Sequence, residues 1–131
     1  MFRYPRIVFL AALFALTMFG CGPSGDKAKF RENAAKGDVL FHSSGCTQCH
    51  SLDGTPMYGP ALSAILHTSI QVVRDGKTVS LTVDRDYIHR SIEKPDYEKL
   101  LQFESRKMPQ TQLSEEQINQ ITDYLISINE K

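Results

Sequence analysis

Cys46-Thr47-Gln48-Cys49-His50 is the stretch on which the fold turns. Two thiols two residues apart, followed at once by an imidazole, can serve several chemistries. A disulfide between them would close a small, strained loop, and short loops stabilise least. A thiol redox pair needs a βαβ setting, but the residues before Cys46 have helical periodicity. A structural zinc site needs four ligands, and the chain has no second Cys-x-x-Cys and no His-x₃₋₅-His pair. Attachment of a c-type haem fits the spacing. Two thiols on one turn can add to the two vinyl groups of one porphyrin, and the next residue is then carried beneath the iron. There the neutral imidazole of His50 can ligate.

Working outward, Phe30, Ala34, Gly37 and Phe41 recur at helical spacing and predict a first amphipathic helix running into Gly45. Ser51 to Pro60 is rich in Gly, Ser, Thr and Pro and reads as a loop, with a short helical turn expected over Ala61 to His67. Between Val72 and Val79, two β-branched arms flank Asp75-Gly76, the composition of a two-residue type I′ hairpin. A helix is expected from near Asp84, burying Tyr87, Ile88 and Ile92 and stopping before Pro95. Ser114 and Gln117 form a capping-box pattern, and Ile118, Ile121, Tyr124, Leu125 and Ile128 line one face of a last helix.

A haem iron with His50 on one side needs a second axial ligand to be six-coordinate. Met108 is favoured, because it lies far enough along the chain to wrap the haem and Pro109 stiffens the loop after it. Met57 follows His50 too closely for an easy path to the opposite face and reads as pocket-lining or partly exposed. His42, His67 and His89 read as solvent-facing or hydrogen-bonded. His/Met ligation raises the reduction potential, and a blocked iron implies electron transfer. A haem sensor with a weakly held sixth ligand is the alternative.

The N-terminal residues read as an export signal. Arg3 and Arg6 precede an uncharged run from Ile7 to Phe19, too short to span a bilayer comfortably. Gly20-Cys21 resembles the end of a lipobox, with Met18 and Phe19 departing from its usual residues. We expect a signal over 1–20, acylation of Cys21, a tether over 21–29 and one domain over 30–131. Ordinary cleavage nearby or an uncleaved anchor are the alternatives. The 15 basic and 15 acidic residues balance, and with Arg3 and Arg6 in the signal the mature part is slightly acidic. That excludes a nucleic-acid footprint, which needs a clustered basic excess.

From Gly37 to Ile128 the chain resembles the class I cytochromes c, through Gly37-x-x-x-Phe41, Cys46-x-x-Cys49-His50, Gly59-Pro60, Lys107-Met108-Pro109 and the Tyr124-Leu125 helix. The resemblance implies a mainly α fold in which the N- and C-terminal helices cross around one haem c with its iron. Gly37 would allow the close approach, with Phe41 and Tyr124 packed around the crossing. The carbonyl of Pro60 would accept a hydrogen bond from His50. More narrowly, Val73 to Val79, Tyr87 to Ile92 and Lys94-Pro95 resemble the cytochrome domain fused to subunit II of some haem–copper oxidases. No cupredoxin-like region with its own metal ligands precedes them, which implies a stand-alone domain.

These readings together predict an electron carrier held by a lipid anchor on the periplasmic or outer side of the cytoplasmic membrane. Its redox partner would be a membrane oxidase or dehydrogenase, as a free carrier or as a haem subunit of the larger enzyme. Lys77, Arg85, Lys94, Lys99, Arg106 and Lys107 could steer docking. Arg106 and Lys107 are the strongest candidates because they adjoin Met108.

Overall fold

The structure, a computed structural model, describes residues 24–55 and 57–130. The expected signal and Cys21 lie outside the described residues.

Three helices and one small sheet make up the fold: α1 (Ser24–Ser43), β1 (Ser69–Arg74), β2 (Lys77–Thr82), α2 (Arg85–Glu93), β3 (Lys99–Leu100) and α3 (Glu115–Asn129). It is mainly helical, as expected. Helix α1 starts earlier than the apolar stripe predicts, so Ser24 to Lys29, expected as part of a tether, are helical. Once the stripe from Phe30 onward has nucleated the helix, each further residue adds one hydrogen bond for one residue fixed, and an exposed extension needs no packing.

Helices α1 and α3 pack against each other at the expected crossing. A Cβ on Gly37 would fall 2.8 Å from Cβ of Tyr124 and closer still to the Gln120 backbone, so only glycine permits this approach. One turn on, the Phe41 and Tyr124 rings meet at 5.6 Å. The core around them gathers Val83, Ile88, Ile92, Ile118, Ile121, Leu125 and Ile126. Each such side chain contributes about 1.5–3 kcal/mol on burial. Helix α3 has the full capping box, Ser114 accepting from the Gln117 amide while the Gln117 side chain accepts from the Ser114 amide.

The hairpin forms as predicted. Arg74 pairs with Lys77, and Asp75 and Gly76 both take positive φ, 50° and 70°, as a type I′ turn requires. The strands run beyond the expected arms, and β3 adds a third in the order β2-β1-β3. Val72 is central, opposite Val79 on one side and Leu100 on the other, and is fully buried. Asp84 caps α2 by accepting from the Tyr87 amide, and Ile88 and Ile92 are buried. Tyr87 is half-buried.

The helical turn expected over Ala61 to His67 does not form. Ala64 and His67 take left-handed φ of 54° and 63°, which breaks any helical run and costs roughly 1 kcal/mol each. Distant groups impose this path. The Asn129 side chain donates to Leu62 O at 2.9 Å and accepts from the Ile65 amide at 2.8 Å, and His67 N donates to Val83 O. Among the described residues, no helix is long and apolar enough to cross a membrane.

Candidate functional site

The Cys-x-x-Cys-His segment is shaped by the end of α1. Gly45, at φ 79°, turns the chain in a conformation that other residues adopt at a cost and launches a 3₁₀ turn over Cys46–Gln48. The carbonyl of Cys46 accepts from the amides of both Cys49, at 3.2 Å, and His50, at 3.0 Å. Both thiols and the imidazole are thereby presented to one cavity.

Gly59 and Pro60 fix the imidazole. The Gly59 amide donates to Cys49 O at 2.8 Å, which folds the loop back onto the motif. A Cβ on Gly59 would stand 2.6 Å from His50 Cε1, so the missing side chain makes room for the ring. His50 Nδ1 lies 2.8 Å from the carbonyl oxygen of Pro60. A carbonyl can only accept, so Nδ1 carries a proton, which in the neutral ring leaves Nε2 its lone pair.

Cys46, Cys49, His50, Pro60 and Met108 all line this single cavity, although Met108 lies in a separate loop far along the chain. The empty space, its open mouth and adjoining solvent included, is about 1300 Å³. Its walls are mostly apolar: Phe41 from α1, Ile88 from α2, Ile121 and Leu125 from α3, and Leu62 and Ile65 from the tied loop. Burial pushes the Cys46 thiol up from its ordinary value. Burial likewise raises the Tyr87 phenol, a hydrogen bond from Ser91 partly opposing it.

The other methionine and histidines stand elsewhere. Met57 is half-buried and outside the lining, and its carbonyl accepts from Arg106 Nη1 at 2.9 Å. His42 bonds to the Asp38 carbonyl, His67 is exposed, and His89 pairs with Glu115 at 3.0 Å. None of the three lines the cavity.

Two residues at the site, Glu98 and Thr111, carry no sequence signal. Glu98, 3% exposed, is held by Arg74 and Arg90. The Thr111 hydroxyl is buried in the cavity wall with no partner among the described residues. Arg106, expected as a docking charge, donates to Met57 O and Tyr58 O and stacks on the Tyr58 and Phe103 rings at 5.5 and 5.0 Å. It pins the loop that leads into Gly59. Arg85 is paired with the buried Asp123, and Lys99 with Asp96 at 3.0 Å.

This lining fits the haem expected from the sequence. A flat, largely apolar group is matched by the walls, two thiols and an oriented imidazole stand on one side, and a thioether is within the same cavity. The orphaned Thr111 hydroxyl marks a place for a polar edge of the bound group.

Residues 34–129 match the family model described as Cytochrome c. A comparison with curated proteins gave no match. Among solved structures, the chain is similar to a cytochrome c from Rhodothermus marinus, with 27% identity, 76% of this chain and 79% of that chain covered, and a TM-score of 0.51. It is also similar to an engineered cytochrome c from Rhodothermus marinus bound to a carbene intermediate, with 25% identity, coverage of 77% and 80%, and a TM-score of 0.47.

Proposed function

Since the chain belongs to the cytochrome c family, we propose that it is a single-haem electron carrier with its iron held between His50 and Met108. Covalently bound haem c and haem-based electron transfer follow from the family itself. When bound, the haem supplies one-electron chemistry, the iron cycling between ferric and ferrous.

The chain's own residues do the rest. Cys46 and Cys49 provide the two thioether attachments from one turn. His50 offers Nε2 as a ligand, because the Pro60 carbonyl holds the proton on Nδ1 and makes the imidazole more basic. Met108 offers a thioether, which favours ferrous iron and raises the potential relative to a second nitrogen ligand. The apolar walls keep water from the iron, favouring the less charged ferrous state. The observation that carries this reading is that Met108 lines the same cavity as Cys46, Cys49 and His50.

The carrier is tethered through an acylated Cys21 on the periplasmic or outer side of the cytoplasmic membrane. The Arg3 and Arg6 start, the uncharged run and Gly20-Cys21 support this. It serves a membrane oxidase or dehydrogenase, a role supported by the hairpin and α2 sequences that resemble an oxidase-fused cytochrome domain.

Mass spectrometry of the native protein should show one covalent haem and the lipid together. The reduced protein should give a sharp low-spin c-type spectrum and resist carbon monoxide, and Met108→Ala should admit it. Ready binding of carbon monoxide by the native ferrous protein would sink the Met108 assignment and favour a sensor. Recovery in fixed ratio with a large enzyme after mild detergent extraction would make it a permanent subunit.

A further inference from the structure

Glu98 is the one acidic residue among the described residues lining the cavity, and its side chain is 1% exposed. A lone carboxylate is too costly to keep ionised in such a wall. Two guanidiniums hold it. Arg74 of β1 donates to Oε2 through Nε at 3.2 Å and through Nη2, while Arg90 of α2 donates to Oε1 through Nε at 2.7 Å and Nη2 at 2.6 Å. Both also stack on the Tyr97 ring, at 5.2 and 5.8 Å.

A buried ionic triad is weak evidence of a purely stabilising role. Replacing a buried ionic triad by packed apolar side chains is often neutral or stabilising. Placement is the informative feature. Neither Arg74 nor Arg90 lines the cavity, and their side chains are 31% and 33% exposed, so water screens their charges more than that of Glu98. Of the three charges in this cluster, the carboxylate alone belongs to a residue that lines the cavity.

We infer that Glu98 is a positioning residue for charge: fixed by Arg74 and Arg90, its carboxylate lowers the reduction potential of the haem that the cavity carries. The inference rests on the haem reading above. Ferric iron carries one more positive charge than ferrous, so a fixed negative charge in the wall favours the ferric state. Without it, the gain of one electron becomes easier.

The test is a redox titration of the full holoprotein, read by its haem spectrum. Glu98→Gln should move the ferric-to-ferrous balance about tenfold toward ferrous at a fixed potential, which corresponds to a rise of about 59 mV. Glu98→Asp should restore most of the native value. Arg90→Gln should shift the balance the opposite way and less, because its charge is better screened. A purely structural role would let water in and lower the potential in both variants. An intact c-type spectrum with an unmoved or lowered potential in Glu98→Gln overturns the inference alone. Absence of any covalent haem in the native protein overturns the reading beneath it and this inference with it. Should Glu98→Gln not fold, the charge-balanced Glu98→Gln, Arg74→Gln double variant still removes the carboxylate from the wall and must raise the potential. A null or downward shift there overturns the inference equally.

Discussion

A Cβ on Gly37 would lie 2.0 Å from the carbonyl oxygen of Gln120, so α1 and α3 meet backbone against backbone. A carbonyl in a helix cannot swing aside as a side chain can. Gly37→Ala must therefore part the helices, with a cost of about 3 kcal/mol, at the upper end of ordinary overpacking. Urea unfolding should show a lower midpoint at unchanged slope. Gly25→Ala is the control, since nothing lies within 4 Å of its Cβ. It should leave stability unchanged or raise it by about 0.5 kcal/mol.

Gly59→Ala acts on the imidazole. The new methyl would strike His50 Cε1, Nδ1 and Nε2, at 2.6, 2.9 and 3.0 Å, and push the ring off the Pro60 carbonyl. Loss of such an orienting partner commonly costs 10–100-fold in metal binding. The expected outcome is a lower yield of haem-loaded protein and a broadened low-spin spectrum. A native spectrum at native yield would show that the ring does not depend on this contact.

Arg85 and Asp123 should respond unequally to removal. Asp123 is 5% exposed and Arg85 44%. After Asp123→Asn, Arg85 turns to water, and the loss is about 1 kcal/mol. After Arg85→Met, the carboxylate stays buried with only Asn33 Nδ2, at 2.8 Å, to satisfy it. That loss is about 3 kcal/mol. Equal losses, measured by thermal or urea unfolding, would contradict the asymmetry.

Tyr87 makes stability fall at alkaline pH. Its phenol is pushed above the ordinary value by burial. In the window from about pH 10 up to the folded value, the unfolded phenol loses its proton while the folded one keeps it. The unfolded state then binds fewer protons, so stability declines as pH rises. Tyr87→Phe should reduce this slope, leaving the part due to Tyr124, whose phenol burial also raises. Urea midpoints of the two proteins should differ by a constant below about pH 9 and converge or cross above pH 10.

Local features of the fold were legible in the sequence. The Cys46–Cys49 turn, the Asp75-Gly76 hairpin and the Ser114 capping box are set by residues a few positions apart, and each forms where expected. Features set from afar were not. The path over Ala61 to His67 is dictated by Asn129, 67 positions beyond Leu62. Nothing in the sequence singles out Glu98, which Arg74 and Arg90 reach from a strand and a helix. Arg106 reads as a docking charge, yet its Nη1 donates to carbonyls 48 and 49 positions earlier. At the site, the motif order brought His50, Pro60 and Met108 into consideration. The walls that surround them depend on tertiary packing.

The helix crossing also bears on kinetics. Asn33 bonds to Asp123 across 90 positions, and closing a loop of that length costs about 4 kcal/mol in chain entropy before any contact is made. Contacts of such separation slow folding from microseconds toward milliseconds or longer. Most of the segments that wall the cavity lie inside that loop. A group fastened at Cys46 and Cys49, as proposed above, and gripped by those segments would shorten the search for the partner helix. Whether attachment precedes crossing or follows it is thus a competition between two rates.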